Sequence, residues 1–237
     1  MIGQTHRMGG IALGSLAATG LLLAGKDINI VGCAVLVAGS AVGSLVPDID
    51  HKGSMIGKKL PHISALVSSQ VNHRGVVHSL LGLFVFSLMT SSLGYLLSSY
   101  DSELKLLIAL ISTLICVSAI DFGLKLSFRL AHRRLSNKKL KQINLVVAIL
   151  CVVLSLKATS TITYFIPFYI IGLSVGYLSH LLLDTLNPLG VNYFYPGRLY
   201  ISIAKIVTGS DSETLVLLAC TIVAVVSSIT FLVNIIM

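Results

Sequence analysis

Long apolar runs, separated by short polar stretches, dominate the chain. Seven of them approach the roughly 20 residues that a membrane helix needs. They lie near 9–24, 28–46, 77–98, 104–123, 143–158, 164–183 and 214–236. The first and fifth are short, and the first is rich in glycine. This pattern predicts an all-α integral membrane protein, one membrane-embedded domain over residues 1–237 built as a polytopic bundle of about seven transmembrane helices. A polar start with Arg7 and then the run Ile11 to Ala24 has the outline of a signal peptide. No small-residue A-x-A site follows it, and another apolar run begins almost at once, so the segment is read as a span.

Composition agrees. Only 11% of residues are charged and 55% are hydrophobic, whereas about a quarter of a soluble domain is charged. There is no tryptophan, which leaves eight tyrosines to form any interfacial belt. Cys33, Cys116, Cys151 and Cys220 stand singly in apolar stretches. They read as small packing residues and not as a disulfide framework.

The net charge of +8 would fit nucleic acid, but no nucleic-acid motif accompanies it. Topology accounts for it instead. Seven spans sort the connecting pieces into two sets. The N-terminus, 47–76, 124–142 and 184–213 hold Arg7, Lys52, Lys58, Lys59, Arg74, Lys125, Arg129, Arg133, Arg134, Lys138, Lys139, Lys141, Arg198 and Lys205. The opposite set holds only Lys26, Lys105 and Lys157. The positive-inside rule makes the first set, and the N-terminus, cytoplasmic. The basic loop 124–142 is mainly such a signal, with anionic headgroups as a further contact and a surface helix as one form it can take.

Orientation then gathers the chemistry. His6 precedes the first span; Asp48, Asp50 and His51 follow the second; His73 and His78 introduce the third; His180 and Asp184 close the sixth. All eight fall at cytoplasmic helix ends. His180 and Asp184, four apart, share a helical face, as two ligands of one ion would, or a simple hydrogen-bonded pair. Pro47 predicts that the preceding helix ends near Val46, leaving Asp48, Asp50 and His51 in a loop. Gly75 offers a break between His73 and His78. Arg74 is a topology charge or a clamp for an anionic substrate oxygen. Mixed His and Asp donors suit a divalent cation, zinc first, with manganese or iron as alternatives. Eight candidates exceed the roughly four ligands of one zinc. Either two metals bind or some groups orient the ligands. Asp50 and Asp184 are the candidate proton acceptors. No G-x-S-x-G elbow, Walker or Rossmann glycine pattern occurs.

At these residues the sequence resembles the YdjM-type family of bacterial inner-membrane proteins, described as LexA-regulated metal-dependent hydrolases. The matching stretches are THRMGG, PDIDHKGSMIG, NHRGVVHSLLG and GYLSHLLLDTLNPLGVNYFYP, from about residue 5 to residue 197. The resemblance implies a membrane-embedded hydrolase regulated in the DNA-damage (SOS) response. It implies metal binding by His6, Asp48, Asp50, His51, His73, His78, His180 and Asp184. One position departs: Val77 stands where the family's third motif carries a threonine, which removes a hydroxyl beside His78.

The leading expectation is therefore a hydrolase at the cytoplasmic face of the bacterial inner membrane. Its position suits membrane lipid or another amphiphilic phosphoester as substrate. A proton- or cation-coupled transporter is the alternative, although its binding groups would normally lie near the midplane. A structural protein whose metal merely ties helix ends together is another.

Overall fold

The computed structural model describes residues 1–70, 75–99 and 159–236. The expected spans 104–123 and 143–158, and the candidate residues His73 and Arg74, lie outside them. Contacts divide the chain into two units, Met1–Ser92 with Pro167–Met237, and Leu93–Ile166. The described candidate residues all belong to the first.

Most of the described residues are helical. They form α1 (Gly3–Leu23), α2 (Ile30–Gly43), α3 (Met55–Lys59), α4 (Pro61–Gln70), α5 (Leu80–Ser99), α6 (Thr159–Asp184) and α7 (Asp211–Ile236). Two 3-10 turns, Pro47–Asp50 and Val76–His78, precede α3 and α5. Among these residues the extended backbone that pairs is a single antiparallel bridge, Val191 with Ile201.

Three described segments are long and apolar enough to cross a membrane: Ile30–Asp50, Tyr164–Asp184 and Asp211–Ile236. Seven were expected, five of them within the described residues. Leu80–Tyr95 is apolar but shorter. The first helix has the length, 21 residues, but its turns carry His6, Arg7 and many glycine, serine and threonine residues. Small residues let helices approach one another and contribute little hydrophobicity of their own.

Local chemistry fixes the turns around α2. Asn29 caps its start by accepting from the Gly32 amide at 2.8 Å. The helix ends at Gly43, three residues before the end expected at Val46. The chain does not break at the proline. Amides of Leu45, Val46 and Ile49 bond to the carbonyls three residues back, tightening the last turn into the 3-10 segment that Pro47 opens. Asp48 and Asp50 are thus held in a turn.

Packing follows a small-residue rule. α1 lies against α2 and α7, with Ala18, Ile28, Leu36 and Phe231 forming an apolar cluster. α6 crosses α2 backbone to backbone. A Cβ added to Gly43 would stand 2.1 Å from the Leu173 carbonyl oxygen, and one added to Gly176 would stand 2.0 Å from that of Ser40. No side chain fits there. Gly10 of α1 meets the same Ser40 carbonyl at 2.5 Å by the same measure, and the Ser40 hydroxyl donates to the Gly10 carbonyl at 2.7 Å. In membrane helices such close contact and such interhelical bonds replace the hydrophobic drive that lipid does not supply.

Candidate metal centre

The glycine rows point at the site. Along α6, Gly172, Gly176, His180 and Asp184 recur every four residues and so share one face. Along α1, His6, Gly10 and Gly14 do the same. Each row packs against α2 by its glycines and presents its ionisable members at one end of the bundle. There α2 contributes Ser44, the Pro47–Asp50 turn contributes Asp48 and Asp50, and the Val76–His78 turn contributes His78.

The donor atoms converge. The His180 Nε2 stands 3.2 Å from the His78 Nε2, 3.6 Å from Asp184 Oδ2 and 3.8 Å from Asp48 Oδ1. The His78 Nε2 is 3.7 Å from Asp184 Oδ2 and 3.9 Å from Asp48 Oδ1. The His6 Nε2 is 3.4 Å from Asp184 Oδ1, and its ring stacks on His180 with centroids 3.9 Å apart. Two ligands on one zinc, each about 2.1 Å from it at a tetrahedral angle, stand about 3.4 Å apart. The observed spacings bracket that value. Two groups of three, His6–His180–Asp184 and Asp48–His78–His180, can each hold a metal ion.

Tautomers add a second test of fit. The His180 Nδ1 lies 2.8 Å from the Ser44 carbonyl oxygen. A carbonyl only accepts, so Nδ1 carries the proton, and in the neutral ring the Nε2 lone pair points into the cluster. The His78 Nδ1 lies 3.4 Å from Asp50 Oδ2, which turns its Nε2 lone pair inward in the same way. Two bare nitrogens and two carboxylates facing one point repel each other unless a proton or a metal cation lies among them. A carboxylate or carbonyl behind a ligating histidine is the usual supporting arrangement.

Burial makes that repulsion matter. His6, His78, His180 and Asp184 are at most 2% exposed. Desolvation, helped by the neighbouring His180, lowers His6 to about 4. Desolvation lowers His78 as well, against the pull of Asp50. Both rings are held neutral, which is the ligating form.

One side is open. A cavity of about 900 Å³ counts His6, Asp48 and Asp184 among its lining residues, and Asp48 is the most accessible donor, its side chain 19% exposed. His51 lines the same cavity but is exposed and outside both donor groups. Asp50 is buried behind His78. The structure therefore brings together His6, Asp48, His78, His180 and Asp184, places Asp50 at their back, and leaves His51 at the rim.

Sequence reading overlooked two contributors. Side-chain chemistry gives Ser44 no part in the site, whereas its backbone carbonyl sets the His180 tautomer. The four-residue glycine spacing in phase with His6 and His180 was a readable signal that passed as mere glycine richness. Tyr177, buried beside the site, donates to the Val77 carbonyl and so holds the turn that carries His78.

Known proteins give a consistent picture. The family described as YdjM inner membrane protein matches residues 1–237. YvsG of Bacillus subtilis (strain 168) is 38% identical over 128 residues, 54% of this chain and 73% of that protein. The inner membrane protein YdjM of Escherichia coli (strain K12) is 41% identical over 49 residues, 21% of this chain and 25% of its own length. The Shigella flexneri protein of the same name matches to the same extent. No solved structure matches.

Proposed function

Because the chain belongs to the YdjM family of inner-membrane proteins, we propose that it is a membrane-bound, metal-dependent hydrolase acting on an amphiphilic phosphoester at the cytoplasmic face. One observation carries this reading. Three imidazoles and two carboxylates from four separate stretches of chain meet with donor atoms 3.2–3.9 Å apart, and three of the five, His6, Asp48 and Asp184, line a cavity. A closed four-ligand site would serve structure; an approachable one leaves room for water and substrate.

His6, His78, His180, Asp48 and Asp184 would hold the ion, zinc by donor type, with manganese or iron as alternatives. A cation bound there lowers the pKa of water and polarises a phosphoryl oxygen. The chain does the rest. Ser44 and Asp50 fix the two ring orientations, and burial keeps the His6 and His78 imidazoles neutral. Asp184 reaches the cavity and is the better placed of the two candidate proton acceptors. Asp50 acts through His78, and Arg74 is the proposed clamp for a substrate oxygen. Seven spans with a cytoplasmic N-terminus would set this end of the bundle at the inner headgroup level.

Metal analysis of the purified protein, followed by His180→Ala and Asp48→Ala, tests the assignment. Wild-type protein should carry a divalent metal and show phosphodiesterase activity, and both variants should lose each. Retained metal with unaltered activity in both would remove the hydrolase reading. Cation flux into proteoliposomes, abolished by the same changes, would replace it with transport, although these groups sit at helix ends and a transport path normally places them near mid-membrane.

A further inference from the structure

Beyond the metal cluster, the cavity has two unlike kinds of lining residue. Lys58 and Lys59, which close α3, are of the first kind. Both are exposed, and neither has an ion pair among the described residues. The cavity's own acids, Asp48 and Asp184, face the histidines and do not neutralise them. Leu189 and Val207, 67% and 63% exposed, are apolar.

Leu189 and Val207 begin and end a longer feature. Residues 185–210 join Asp184, the end of one candidate span, to Asp211, the start of the next. The segment is irregular, yet its backbone is bonded to itself and to the end of α6: Val191 pairs with Ile201, the Ile203 amide donates to Thr185 at 2.9 Å, and that of Ile206 to Leu186 at 2.6 Å. Several of its apolar side chains nevertheless turn outward, with Phe194, Leu199, Tyr200 and Ile203 all more than half exposed. Outward apolar side chains on a bonded but non-helical backbone suit neither water nor the hydrocarbon core. They suit the interface between them.

We propose that the cavity takes the head of an anionic phospholipid, with Lys58 and Lys59 contacting its negative charge and the 189–207 segment seated at the boundary between headgroups and acyl chains. The lipid's phosphate then faces the metal cluster, and its tails leave past Leu189 and Val207. This proposal rests on the hydrolase reading only for the fate of the lipid, because binding itself needs no turnover. Discrimination follows from charge: a zwitterionic head would offer the lysines no net attraction, while each lysine at a membrane surface favours anionic lipid several-fold.

The experiment uses full-length protein in phosphatidylcholine nanodiscs doped with phosphatidylglycerol, with retained lipid counted by native mass spectrometry and metal content measured in parallel. Wild-type protein should retain phosphatidylglycerol over phosphatidylcholine. K58Q/K59Q, which alters only exposed groups, should weaken that preference by about tenfold with metal content unchanged. Leu189→Ser with Val207→Ser should lower retention of both lipids. An unchanged preference in K58Q/K59Q overturns the proposal, as does equal competition by water-soluble glycerophosphate, which would mean that acyl chains play no part. Protein that retains the anionic lipid through its lysines but hydrolyses nothing would refute the hydrolase reading alone. Protein that hydrolyses phosphoesters with no response to lysine neutralisation would refute this inference alone.

Discussion

At the residue scale, the centre depends on which atoms carry protons. Ser44 and Asp50 each take the outer nitrogen of one histidine, so the inner lone pairs are directed by groups that never touch the ion. Supporting partners of this kind usually contribute 10–100-fold to metal affinity. Asp50→Asn should therefore weaken metal binding by about tenfold or more while the protein still folds. His180→Ala, which deletes a donor common to both groups, should all but abolish it. A competition titration with a fluorescent chelator would separate the two; equal affinities for Asp50→Asn and wild type would show that Asp50 does not act through His78. That these residues form a cluster was legible from sequence, since helix ends on one face gathered His6, Asp48, His78, His180 and Asp184. Their division of labour was not. Whether a carboxylate holds an ion or a ring depends on ångström-scale placement within a 3-10 turn, and spacing along the chain does not encode it.

At the element scale, α1 and α6 both lean on α2 through glycine, and this close approach carries the Ser44 carbonyl to His180. Gly176→Ala would press a methyl group into the Ser40 carbonyl, from which its ideal position is only 2.0 Å away. The helices must separate, costing about 1–3 kcal/mol or more, and the His180 bond should lengthen. The expected result is a lower melting temperature together with metal loss. Gly20 of α1 is the internal control, because a Cβ there meets nothing within 4 Å. Gly20→Ala should leave metal content intact and leave stability unchanged or raised by about 0.5–1 kcal/mol. If both substitutions behave alike in thermal melts, the crossing is not as close as described. The elements themselves were partly readable from hydropathy. It located α2, α6 and α7, but the first run belongs to a helix long enough yet not among those apolar enough to cross a membrane, because glycine and serine serve helix contact without adding apolar surface.

For the whole molecule, membrane residence follows from the family and from three apolar helices; which way the chain faces is a proposal drawn from fourteen cations on one set of loops and three on the other. A cysteine at Ser136, inside the basic loop, should resist an impermeant thiol reagent in intact cells and react once the membrane is opened. Labelling before lysis would invert the topology and move the metal cluster to the opposite leaflet. Hydropathy and charge were enough to frame this prediction, since both act over whole segments and survive errors of a few residues at each helix end.

The His180 Nε2 belongs to both donor groups, yet a neutral imidazole nitrogen has one lone pair to give. The two positions are thus rivals for a single seat. Whichever ion arrives first dictates which companions remain idle, and a second equivalent must settle for a poorer set of neighbours. Calorimetry on metal-stripped protein should accordingly show steep antagonism, with a tight first event and a second far weaker, in place of two equal steps.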